Sequence, residues 1–167
     1  MLKQREGFTL IELLVVVSII GLLSSIVLAG LNTARIKARG TKQRSDMIQV
    51  RTALEHYFLS NNSYPSTGGS WRAACPSYGG YANSGSNAWI PDLAPTYIPL
   101  LPTDPNANNA GGCYLYRSDG TNYKFLIHGT VQDISCPPIP STTPFYDPNR
   151  STTQCTLAIY SPGGSGW

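Results

Sequence analysis

Glu12 puts a carboxylate inside an otherwise apolar run from Phe8 to Leu31. That run is about 24 residues long, interrupted by Thr9, Glu12, Gly21, Gly30 and three serines, and it is long enough to cross a bilayer as one helix. An acidic side chain near the centre of a membrane helix costs roughly 2.5–3.5 kcal/mol, and somewhat less near the end where Glu12 lies. A partner must offset that cost. The residues ahead of the run, Met1 to Gly7, are polar and charged and end on a glycine, whose missing side chain lets a protease reach the backbone. Cleavage between Gly7 and Phe8 would leave a new amine on Phe8, a positive charge at the same end of the helix as Glu12.

Gly7-Phe8-Thr9-Leu10-Ile11-Glu12 followed by an apolar helix resembles the class III signal of type IV prepilins and type II secretion pseudopilins. The resemblance implies that a membrane-embedded prepilin peptidase removes residues 1–7 and methylates the Phe8 amine. It also implies that Glu12 pairs with the Phe8 amine of a neighbouring subunit as a filament grows. An ordinary secretory signal would be cut after its apolar region, but this run is too long for one and Ala29-Gly30-Leu31 is a weak cleavage site. A plain signal anchor needs no cleavage and leaves Glu12 without a purpose.

The elements that position these residues follow from the rest of the chain. Met47, Val50, Leu54 and Tyr57 recur at three- and four-residue steps, which extends the helix to about Leu59. At 1.5 Å per residue a helix over 8–59 would measure about 78 Å, longer than a bilayer is thick, so its second half presents an apolar stripe to a head domain over 60–167. The helix should stop at Ser60-Asn61-Asn62-Ser63-Tyr64-Pro65, where amides and hydroxyls compete for backbone hydrogen bonds and Pro65 forbids continuation. The glycine- and serine-rich stretch 66–87 reads as loop, and the segments around Trp89-Ile90 and Tyr97-Ile98 as apolar turns between prolines. Strands are expected over Cys113 to Arg117, Asn122 to His128 and Thr156 to Tyr160, with a turn at Ser118 to Thr121. The fold class is α+β: a long amino-terminal helix, transmembrane and then amphipathic, on a small antiparallel sheet, the lollipop of the pilin family.

Composition agrees with an extracytoplasmic head. Only 13% of residues are charged, and ten tyrosines stand against four phenylalanines. Cys75, Cys113, Cys136 and Cys155 all follow the apolar run, an even number with wide spacing that suits two disulfides in an oxidising compartment. Of the three connectivities, Cys75 with Cys113 and Cys136 with Cys155 are preferred. The first would fasten the loop after the helix to the sheet. The second would close the proline-rich segment, which looks short of apolar anchors, in a loop of about 20 residues worth roughly 3 kcal/mol in the chain-entropy model. Zinc would ask for Cys-x-x-Cys pairs, and there are none. Arg35, Lys37, Arg39, Lys42 and Arg44 follow the span and on charge alone would face the cytoplasm. The cysteines and the leader demand the opposite orientation.

Asp104, Asn106 and Asn108 mimic the opening of an EF-hand loop, but Asn109 replaces the turn glycine and Leu115 the bidentate glutamate, so an Asx-rich turn is the better reading. The histidines, His56 and His128, have no nucleophile and carboxylate nearby in sequence, so neither catalysis nor a cofactor is expected. The five basic residues lack interleaved aromatics, which leaves nucleic acid as an alternative partner behind lipid headgroups and neighbouring subunits.

The resemblance continues at Leu59 to Pro65, at Leu101-Pro102-Thr103-Asp104-Pro105 and at Tyr114-Leu115-Tyr116, which look like the helix exit and pre-sheet loop of major pseudopilins and related pilins. The chain departs from the family at Ala29, where many relatives carry a helix-kinking proline, and around Gly129 to Asp133, where the aspartate-rich calcium loop of secretion pseudopilins is not evident. The implied partners are copies of this chain, the prepilin peptidase, the membrane before assembly, and an inner-membrane platform protein driven by a cytoplasmic assembly ATPase. Lipid and a filament core are comparably apolar, so transfer between them supplies little drive and an external motor is needed. A membrane-anchored binding module that does not polymerise is the rival from another class.

Overall fold

The computed structural model describes residues 7–76, 78–81, 88–107 and 111–167. The expected leader, apart from Gly7, therefore lies outside the described residues, as do Asn108 and Asn109 of the EF-hand-like stretch. The chain divides into two compact units, Met1–Lys37 and Ala38–Trp167.

One helix, α1, spans Leu10–Asn61 and contributes to both units. It runs two residues past the expected end at Leu59. Instead of competing with the helix, the side chains at its end satisfy it: Ser60 Oγ donates to the His56 carbonyl over 3.2 Å and Asn61 Nδ2 to that of Tyr57 over 2.9 Å. Asn62 then takes a left-handed conformation, φ 53°, and its amide donates to the Phe58 carbonyl.

In the second unit four strands form an antiparallel sheet in the order β1-β2-β3-β4: Arg72–Ala73, Cys113–Ser118, Tyr123–His128 and Thr156–Tyr160. The short β1 corrects the expectation of a structureless loop over 66–87. Arg72 pairs with Tyr116 and Ala73 with Leu115, while Thr67 ties the approach down by accepting from the Ser118 amide and donating to carbonyl oxygens of Ser70 and Ser118. Polar composition hid a strand that is only an edge. The β2–β3 turn sits one residue later than expected, because Ser118 stays in register with Tyr123. Asp119 Oδ1 accepts from the amides of Thr121 and Asn122, and Gly120 supplies the φ of 93°.

Strand alternation gives the sheet two faces. Tyr114, Tyr116, Tyr123, Phe125, Ile127, Leu157 and Ile159 form one core with Met47, Val50, Ala53 and Leu54 of α1 and with Trp89, Ile90, Leu93 and Ile98 from the turns between prolines. Leu115, Leu126, Ala158 and Ala73 form a second, smaller cluster on the other face, with Trp71, Tyr78 and Tyr160 over it. Buried hydroxyls are matched to acceptors, Tyr114 donating to Asp46 over 2.8 Å and Tyr116 to the Pro65 carbonyl over 2.9 Å. Burial raises the pKa of both phenols.

The proline-rich segment after Cys136 is not short of anchors, contrary to expectation. Ile139 and Asp147 are buried, the Phe145 carbonyl accepts from the Ala158 amide, and Tyr146 bridges to Leu157 at the edge of β4. Asp147 is the pivot. Its carboxylate meets Lys124 Nζ at 2.8 Å with both side chains fully buried, and it accepts from the Asn149 amide. Cys75 is joined to Cys113 and Cys136 to Cys155, with Cα atoms 6.0 and 5.2 Å apart.

Candidate processing and assembly site

Three of the candidate residues, Gly7, Phe8 and Glu12, lie together at the start of α1. Thr9 is the residue that fixes Glu12. Its carbonyl accepts the Leu13 amide over 3.2 Å, its hydroxyl accepts the Glu12 amide over 3.3 Å, and Glu12 Oε2 accepts from both the Thr9 amide at 2.9 Å and the Thr9 hydroxyl at 2.8 Å. This is a reciprocal capping box, in which orphan donors of the first turn are satisfied by the two side chains. Sequence reasoning missed this role, although the Thr-x-x-Glu spacing signals it. Glu12 is thus held towards the amino-terminal end of its own helix, where a carboxylate also meets the positive end of the helix dipole. Oε1 has no protein partner among the described residues.

Around that carboxylate the helix is apolar on all sides. Phe8, Ile11, Val15 and Val16 line a shallow groove beside Glu12, and every large apolar side chain described from Phe8 to Leu31 is exposed, from 88% at Leu10 down to 44% at Leu31. The 18-residue window with a mean hydropathy of 2.7 has none of its residues buried. A helix apolar all round needs a lipid or protein environment. Two of the three serines do not spoil it: Ser18 Oγ donates to the Leu14 carbonyl and Ser25 Oγ to that of Leu22, both over 2.7 Å, so their polarity is spent on the helix itself. At Gly7 no described residue lies within 4 Å of where a Cβ would stand.

The basic residues after the apolar run have divided roles. Arg35, Lys37 and Arg39 are exposed. Lys42 instead pairs with Asp46 at 2.7 Å and reaches the Thr103 carbonyl, and Arg44 holds Asp133 through both terminal nitrogens at 2.9 and 3.1 Å. Two of the five cations expected to face lipid or other subunits thus belong to the internal framework of the second unit. Asp104 likewise turns inward. It accepts from the Asn106 amide in an Asx turn, from Gln43 Nε2 at 3.0 Å and from the Thr130 hydroxyl, which joins the pre-sheet loop to α1. Among the described residues no group of three or more histidine, cysteine or acidic side chains is placed to hold a metal ion.

A family model described as the prokaryotic N-terminal methylation motif matches residues 2–28. Relatives named type II secretion system core protein G are similar along most of the chain. The one from Escherichia coli K12 is 37% identical over 150 residues, covering 80% of this chain and 90% of that protein. Its namesake from Pseudomonas aeruginosa is 33% identical over 131 residues, with 78% and 86% covered. The Vibrio cholerae protein is 33% identical over 124 residues, with 71% and 75% covered. No solved structure gives a significant match. A methylation motif lying over the capped start of an unburied apolar helix, with relatives this similar over most of both chains, means that this chain belongs to the family of type IV pilins and type II secretion pseudopilins.

Proposed function

We propose that the chain is a structural subunit of an extracytoplasmic pilus-like filament. It is made as a precursor, cut between Gly7 and Phe8 by a prepilin peptidase and methylated on the Phe8 amine. Residues 8–31 hold it in the inner membrane with the head, residues 60–167, outside. A cytoplasmic assembly ATPase, acting through an inner-membrane platform protein, then moves it into the filament. The observation that carries this reading is the apolar, unburied first part of α1 with Glu12 capped at its start. Such a surface is stored in lipid and then repacked against the same surface of other copies, with Glu12 Oε1 left to accept from the neighbour's Phe8 amine as a charge-assisted hydrogen bond.

Two forms of filament fit. The names of the relatives favour the core pseudopilin of a type II secretion system, and the two disulfides of the head favour a surface pilus that must survive outside the cell. Filament imaging and a secretion assay on cells with and without the chain separate them. Loss of surface fibres with normal secretion marks a pilin, and loss of secreted protein marks a pseudopilin. Full function from a Glu12→Ala chain in both assays would instead identify an anchored module that never polymerises.

A further inference from the structure

The face of the sheet away from α1 carries Arg117, Lys124 and Tyr160 in register across β2, β3 and β4. Like charges directly opposite on antiparallel strands repel, so each cation needs its own counter-group. Lys124 has three: Asp147 Oδ1 at 2.8 Å and the main-chain oxygens of Ser165 and Trp167 at 2.9 and 2.8 Å. Arg117 has no such partner. Its guanidinium lies 4.6 Å from the Trp167 ring centroid and 5.9 Å from that of Trp71, its Nε is buried without an acceptor, and it donates no hydrogen bond to the described residues. Ring contacts satisfy the charge over the faces of the guanidinium and leave its in-plane N–H donors unused.

Arg117 lines a cleft of about 590 Å³ together with Arg72, Trp71, Tyr81 and Ser70, and no carboxylate lines it among the described residues. The volume falls inside the range of small-ligand sites. The Asp147 carboxylate is held by Lys124 and lies 3.5 Å from Arg150 Nη1. We propose that this cleft binds an acidic sugar, whose carboxylate or phosphate oxygens take the terminal Nη donors of Arg117 and whose ring rests against Tyr81. Arginine suits that task because its donors are fixed in a fork that matches two anionic oxygens. Single-stranded nucleic acid is the lesser fit, since it needs a series of free rings for successive bases. Trp71 is engaged by both Arg117 and Arg150, and Trp167 by Arg117, whereas Tyr81, whose ring has the Tyr78 ring 6.4 Å away on one side, is exposed and carries no cation.

The test is a tryptophan-fluorescence titration of the full chain in detergent micelles, with Trp71 and Trp167 as reporters beside Arg117. Trigalacturonate should give a saturable change, its neutral methyl ester should bind at least tenfold more weakly, and glucose 6-phosphate should bind better than inorganic phosphate. Arg117→Gln should weaken trigalacturonate at least tenfold. Tyr81→Ala, at an exposed position, should weaken it several-fold with an unchanged melting temperature, and it decides the matter if the Arg117 variant does not fold. Equal binding of acid and ester, equal binding of inorganic phosphate and sugar phosphate, an oligonucleotide that binds more tightly than either sugar, or variants that are folded and unaffected would each overturn the proposal.

Discussion

The carboxylate of Glu12 is bonded to Thr9 three residues earlier, through the Thr9 amide and hydroxyl at 2.9 and 2.8 Å. Under the proposed function Glu12 has two separable tasks, the observed capping of its own helix through Oε2 and the proposed meeting of a neighbour's amine through its charge. Thr9→Ala removes the cap and should loosen the first turn by about 1 kcal/mol, seen as faster amide exchange over residues 10–13, while filaments still form. Glu12→Gln keeps an acceptor for Thr9 and loses the charge, so it should insert in the membrane and fail to enter filaments. Assembly lost with Thr9→Ala and kept with Glu12→Gln would reverse the two roles.

Gly40 is buried in α1 against the Asp133 carboxylate, which Arg44 holds. Alanine in place of a helix glycine normally gains up to about 1 kcal/mol. Here a Cβ would run into the Asp133 side chain, so Gly40→Ala should destabilise the protein by about 1–3 kcal/mol. Thermal unfolding in detergent checks the sign, and a stabilised variant would show that the Asp133 loop yields freely.

The buried Lys124–Asp147 pair joins the centre of the sheet to the segment after Cys136. Removing one partner strands the other charge, so Asp147→Ala should cost about 3–5 kcal/mol. The double variant Lys124→Met with Asp147→Leu should cost much less than the two single changes added together. Additive losses in unfolding measurements would mean that the pair contributes no coupling.

His128 is half-buried, with Nδ1 3.1 Å from Thr156 Oγ1, the Tyr78 ring 6.1 Å away and the Arg150 charge nearby. Burial first, and Arg150 second, lower its pKa below 6.5, with Asp147 acting weakly the other way. The unfolded chain then binds a proton that the folded chain refuses, so stability should fall as pH drops from about 6.5 towards the depressed value. His128→Gln should flatten that part of the pH–stability curve. An unchanged slope would place the titrating group elsewhere.

Much of this architecture is legible in the sequence because its causes are local. The Met47, Val50 and Leu54 spacing marks the buried face of α1, and the alternation in Tyr123 to His128 marks a strand facing that helix. β1 is not legible, since Arg72–Ala73 is a strand only by pairing with residues more than forty positions away in β2. The anchoring of the proline-rich segment is hidden for the same reason: Asp147 is buried because Lys124, on another element, neutralises it. At the candidate site, the types and order of Gly7, Phe8 and Glu12 carry the family resemblance. The capping box was equally readable in Thr9 and Glu12 but is overshadowed by the membrane argument for the same carboxylate.

The central claim is that a processed chain polymerises through its first helix, and the intact mass of subunits sheared from purified filaments tests it most directly. The account predicts a chain that begins at Phe8 and carries one added methyl group. Filament-borne chains that still begin at Met1, or processed chains found in the membrane of cells that make no filament containing them, would contradict it.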